Sequence, residues 1–177
     1  MKIVSIFAEK LFSFCYTPED KDELTRVLDL WNDPEYLHKF LIENIEDLQI
    51  DQDLPKILDQ ILIAVQETED AIIRICEDPE KSLDQFFVPL RNYEYDPKVL
   101  SLRKRRAYCL RLYALRIDTN CFVITGGTIK LTHLMSDRNH TQRELVKLEQ
   151  ARSYLQSNGI FDADSFFEFL IEEGYDN

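Results

Sequence analysis

Apolar residues recur along this chain with two periods, and the change from one to the other marks its organisation. Ile3–Tyr16 is dense in Ile, Val, Phe and Tyr and predicts a strand. Thr17-Pro18-Glu19-Asp20 then carries a helix-start signal: a capping hydroxyl, a proline suited to the first turn, and acids that complement the helix dipole. Leu24, Val27, Leu28 and Trp31 follow at i, i+3, i+4 and i+7, one helical face. Asp33-Pro34-Glu35 repeats the signal before Tyr36, Leu37, Phe40 and Leu41. Residues 46–53 are acidic and predict a loop. From Leu54 a long helix of about 23 residues carries Ile57, Leu58, Ile61, Leu62, Val65, Ile72 and Cys76 on one stripe, ending at Asp78-Pro79. A short turn through Phe86 and Phe87 and an irregular connection through Pro89, Asn92, Asp96 and Pro97 follow.

At Ala107 the period becomes two. Tyr108, Leu110, Leu112 and Ala114 fall on one strand face, and Arg105, Cys109, Arg111, Tyr113 and Leu115 on the other. Asp118-Thr119-Asn120 predicts a turn and Cys121–Thr125 the return strand of a β-hairpin. Gly126-Gly127 predicts a kink or bulge before a further strand, Thr128–Leu131. Thr141-Gln142-Arg143-Glu144 fits a capping box that opens a helix with Leu145, Leu148 and Leu155, stopped at Asn158-Gly159. A last helix spans 164–173.

The length, 177 residues, suits one domain, and 45% hydrophobic with 31% charged residues suits an ordered protein. No apolar run is long enough to span a membrane. The N-terminus lacks a signal-peptide cleavage site, so a cytoplasmic protein is expected. Cys15, Cys76, Cys109 and Cys121 show no CxxC pairing and, with His38, His133 and His140, no metal-ligand spacing. Reduced, mostly buried thiols and no metal or other cofactor are expected.

The net charge of −12 conceals a division. Residues 1–97 hold 23 acids against 9 bases, residues 98–152 hold 12 bases against 4 acids, and residues 153–177 hold six acids and no base. A basic segment inside an acidic chain points to a polyanion partner or to an intramolecular acidic counterpart.

Arg103, Arg105, Arg111 and Tyr113 share strand parity. Arginines beside an aromatic on a sheet face suit phosphate contact and base stacking, as single-stranded RNA requires. RNA cleavage by a 2′-hydroxyl needs a base, a cation near the phosphorane charge and an acid for the leaving oxygen. Lys130 and His133, by the hairpin, are candidates; His140 reads as a helix-entry residue. The chain carries no Ser-His-Asp, phosphate-loop or paired-carboxylate signature.

The run RAYCLRLYALRI, a short turn, CFVITGGTIKLTHLM, the polar SDRNHT and a helix starting QRELVKLEQARSYL together resemble the C-terminal half of toxins of the RelE/ParE superfamily, the HigB-like, phage-derived branch above all. Arg111-Leu112-Tyr113 stands at the family's R-x-Y element and Ile129-Lys130 at its lysine stretch, with Leu131 in place of the second lysine. The likeness covers about 50 residues well.

The resemblance implies an α+β fold: a small antiparallel sheet with helices packed against it, here one domain over 1–177 with 46–97 as a helical insertion. It implies a toxin of a type II toxin–antitoxin system that cuts mRNA, commonly on the ribosome, without a metal, and is blocked by an antitoxin of helix-turn-helix type. Arg111, Tyr113, Lys130 and His133 would form the catalytic set, and Arg103, Lys104, Arg105, Arg106 and Arg116 would contact RNA, Arg116 from the opposite strand parity. The alternative is a non-catalytic binding module of the same fold. Its acidic 46–97 segment would dock a protein partner or mask the basic sheet face.

Overall fold

The computed structural model describes residues 1–17, 21–48, 53–89, 99–102, 109–131 and 139–174. The chain is α+β: the described residues form a six-stranded, mostly antiparallel sheet with five α-helices packed against it.

The N-terminal strand expected over Ile3–Tyr16 is a hairpin of β1 (Lys2–Phe7) and β2 (Leu11–Cys15). Glu9 turns it at φ +62°, so the charged Glu9-Lys10 pair that interrupts the apolar run is the turn itself. The Lys10 ammonium, carried past the turn, donates to the carbonyl of Cys76 at 2.8 Å. It thereby satisfies the C-terminal end of α3 (Leu54–Glu77), the long helix expected from the 3.6-residue stripe.

Helix α1 (Glu23–Trp31) starts later than Thr17, because Asp22 is the residue that caps it; its carboxylate accepts from the backbone N–H of Leu24 and Thr25. Helix α2 (Pro34–Glu43) starts as read, with Asp33 capping and Pro34 in the first turn. Beyond α3, Phe87–Pro89 forms β3, which pairs with β4 (Val99–Leu102). Neither short strand was expected, since three or four residues leave too little alternation to detect. The 46–97 segment therefore contributes an edge strand as well as a helix.

The hairpin of β5 (Cys109–Asp118) and β6 (Cys121–Lys130) lies at the centre. Tyr113 pairs with Gly126 and Ala114 with Ile124, so Thr125 is the extra residue of a bulge. The glycine pair is where the kink was expected, but β6 runs through it to Lys130 as a single strand. The spatial order is β1-β2-β6-β5-β4-β3, and among the described residues only the β2–β6 pair is parallel.

Both sheet faces are covered. Leu11, Leu110, Leu112, Ala114, Phe122, Ile124 and Ile129 pack with α1, α2 and α3 around Val27, Trp31, Ile57, Ile61 and Val65. On the other face Phe12, Phe14, Tyr113, Leu115 and Val123 pack with α4 (Asn139–Ser157) and α5 (Ala163–Glu172) through Leu148, Ala151, Leu155, Phe166 and Leu170. Gly159 takes φ +73° at the stop after α4, as its sequence signal required. Helix α3 packs on the face opposite Arg111 and Tyr113, so it does not mask the basic strand face; α4 and α5 cover that face at Tyr113 and Leu115, while Arg111 and Lys130 are half-buried.

Candidate functional site at the glycine bulge

Two parallel strands lie side by side at one place in the sheet, and their following helices depart to opposite faces. After β2 the chain reaches α1 on one face, and after β6 it reaches α4 on the other. In open sheets such a reversal leaves a crevice beyond the C-terminal strand ends, the usual seat of a ligand site. Here β2 pairs with β6 only as far as Ser13 with Ile124, and Gly126-Gly127 line β6 just beyond. With no Cβ on either residue, side chains from α1 and α4 meet across the strand.

What meets there is charged. Glu23, in the first turn of α1, is 4% exposed. It accepts from Arg26 through both carboxylate oxygens, at 2.9 and 2.7 Å, and from Lys147 of α4 at 3.0 Å. Glu144 of α4, 8% exposed, has one oxygen 3.4 Å from the Lys147 ammonium and 3.9 Å from Arg26. Its other oxygen is buried without a hydrogen-bond partner. A Cβ on Gly126 would collide with that oxygen and stand 3.2 Å from the Glu23 carboxylate. The Glu144 carboxyl thus fills the space of the missing side chain. Burial raises its pKa and Glu23 adds to the rise, while Lys147 and Arg26 oppose it.

Tyrosines close the cluster. The Tyr16 hydroxyl lies 2.8 Å from the Thr125 carbonyl and 3.1 Å from that of Lys147, so it bridges the bulge to α4. Burial pushes the pKa of Tyr16, Tyr36 and Tyr113 upward, and the Glu144 charge adds to each. All three are held as neutral phenols.

The strand residues singled out in the sequence divide. Arg111 pairs with Thr128 and Cys109 with Lys130 in the β5–β6 ladder, so Arg111 and Lys130 share a face, and both are half-buried. Tyr113, on that same face, is 1% exposed and belongs to the core beneath α4. Arg116 is on the other face, in an ion pair with Asp84 at 2.8 Å, away from Arg111. His133, Arg103, Lys104, Arg105 and Arg106 lie outside the described residues.

Glu23, Arg26, Glu144 and Lys147 escaped the sequence reading, yet a signal existed. Glu144 stands at i, i+4, i+7 and i+11 with Leu148, Ala151 and Leu155, and Glu23 at i, i+4 and i+8 with Val27 and Trp31. An acid on a buried helical stripe marks a carboxylate that must find partners. Elsewhere, burial raises the thiol of Cys76 to about 11 and that of Cys121 to about 12, which keeps both protonated and unreactive. Among the described residues no group of His, Cys, Asp or Glu is placed to hold a metal, and no helix is long and apolar enough to cross a membrane. No protein family, curated protein or solved structure matches the chain.

Proposed function

We propose that the protein is the toxin of a toxin–antitoxin pair and cleaves mRNA on the β5–β6 face without a metal. One observation carries this reading: the ladder register sets Arg111 and Lys130 two positions apart on one face, about 7 Å along the strands, where two cations bracket one phosphodiester. Arg111 and Lys130 stabilise the charge that grows on the nonbridging oxygens as the 2′-hydroxyl attacks phosphorus. The 2′-hydroxyl gives up its proton as its oxygen bonds phosphorus, the P–O5′ bond breaks and the 5′-oxygen takes a proton, leaving a 2′,3′-cyclic phosphate and a 5′-hydroxyl. Arg103, Lys104, Arg105 and Arg106 add phosphate contacts to the RNA, and His133 is the reserve proton carrier. An antitoxin of helix-turn-helix type would cover this face.

The burial of Tyr113 favours a second reading, a binding module in which that ring is purely structural and a protein partner engages the acidic surface. Induced expression in a host lacking the antitoxin separates the two. Wild type is expected to arrest growth with loss of mRNA. The double variant Arg111→Ala, Lys130→Ala should not, with cleavage down by about 10²–10³-fold or more. Harmless wild-type expression would remove the toxin reading.

A further inference from the structure

Helix α4 is held down in two different ways along its length. Its C-terminal half is anchored by Leu148, Ala151 and Leu155, each buried in the core against the sheet. Between Gln142 and Lys147 the one fully buried side chain is Glu144; Leu145 is half-buried and Val146 points outward, 57% exposed. That half is therefore fastened by the Glu144 and Lys147 contacts to Glu23, Arg26 and Gly126, with the His140 ring edge-on to Phe40 at 5.1 Å. Beneath it lie Gly126 and Tyr113.

We propose that the N-terminal half of α4 is a lid over the Tyr113 end of the β5–β6 face, and that Glu144, seated on Gly126, is its latch. That the face below it meets RNA rests on the function proposed above; the movement of the lid does not.

The latch responds to the proton because its two forms meet the seat differently. As a carboxylate, Glu144 leaves one buried oxygen unpartnered and faces the Glu23 carboxylate, which disfavours the closed state. Protonated, it loses the repulsion from Glu23 in the space that the missing Gly126 side chain leaves. The groups facing it are Glu23 and Arg26 from α1, Tyr36 from α2, Tyr113 from β5 with Arg111 beside it, Tyr16 after β2, and Lys147 from α4 itself; His140, one turn earlier on α4, packs on Phe40. Its raised pKa agrees in sign: the closed state binds the proton better, so closure is fullest at low pH and is lost as pH rises through the raised value. Apolar anchoring of the C-terminal half does not titrate, so the helix should lift from one end.

Amide hydrogen exchange on the full chain tests this without RNA. Protection factors of amides 143–147 should fall by up to about fivefold between pH 5 and pH 8, while those of 151–155 stay level. Glu144→Gln, a neutral isostere of the protonated acid, should hold 143–147 protected across that range. His140→Gln should leave the wild-type dependence in place. Equal protection of the two halves, or fraying of 143–147 that does not change with pH or with Glu144→Gln, would overturn the latch. Loss of the pH dependence in His140→Gln instead would assign it to the histidine and overturn it equally. These results stand whether or not expression arrests growth, so the latch and the toxin reading fail separately.

Discussion

The two faces of the sheet solve the same packing problem with different chemistry. The face under α1, α2 and α3 is apolar along its length, mostly Leu, Ile and Val with Trp31, Phe40, Phe87 and Phe122 set among them. The face under α4 and α5 is aromatic at one end, where Phe12 meets Phe166 edge-on at 5.0 Å, and charged at the other, where Glu23 and Glu144 flank Gly126. A uniform apolar layer confers stability and nothing else. A layer that changes from aromatic to ionic along one helix confers stability at one end and a responsive contact at the other, because buried charge is strongly held only while every partner is present.

Truncation in either apolar layer should give the largest effects. Phe166→Ala, with the ring fully buried between Phe12 and Phe167, should cost about 3–5 kcal/mol, and Ile61→Ala in the opposite layer about 2–5 kcal/mol. Urea unfolding followed by both fluorescence and far-UV circular dichroism should show one shared transition in each variant, because both layers pack on the same central strands β5 and β6. Two separated transitions in Phe166→Ala would mean that α4 and α5 form an appendage, and the likeness between the faces would break there.

How much of this could be read along the chain follows the same division. The layer under α1, α2 and α3 was legible: the stripes of those helices and the alternation of β5 repeat often enough to fix a period. So was the glycine bulge, since Gly126-Gly127 in a strand has few other uses. The β1–β2 turn was hidden because Glu9 and Lys10 interrupt an apolar run by only two residues. β3 and β4 were hidden by their brevity. Tyr113 was assigned to the right strand face but to an open one. Parity tells which residues share a face and says nothing of which helix comes to lie on it. The ionic end was missed for a related reason: Glu144 was read as half of a local capping box, and its meeting with Glu23, more than a hundred residues away, is a product of the topology.

Removing Glu23 should have an intermediate effect and sharpen the contrast. Glu23→Gln keeps the shape but deprives Arg26 and Lys147 of their shared anion, at about 1–3 kcal/mol for hydrogen bonds made to charged groups. Adding salt should narrow the gap only slightly, since the pair is buried away from the ion atmosphere. A loss that disappears at high salt would place this cluster with ordinary surface ion pairs, and nothing would then distinguish the two ends of α4.

Glu144→Gln should have the smallest effect, and its sign depends on pH. The folded carboxyl titrates above its unfolded counterpart, so the folded state binds more protons in the window between the two. The stability this contributes is complete below the ordinary glutamate range and is lost as pH rises through the raised value. The amide cannot ionise, so the variant forfeits nothing as pH rises. At pH 4 the two proteins should be equally stable to within experimental error. At pH 8 the variant should match or exceed wild type, by about 1 kcal/mol or less, on the scale of one hydrogen bond. Thermal melts at the two pH values, compared as the difference between variant and wild type, read this directly. A variant less stable than wild type at pH 8 would mean that Lys147 and Arg26 hold the Glu144 carboxylate more tightly than its burial and Glu23 oppose it. The ionic end of α4 would then be a fastening as firm as the aromatic one.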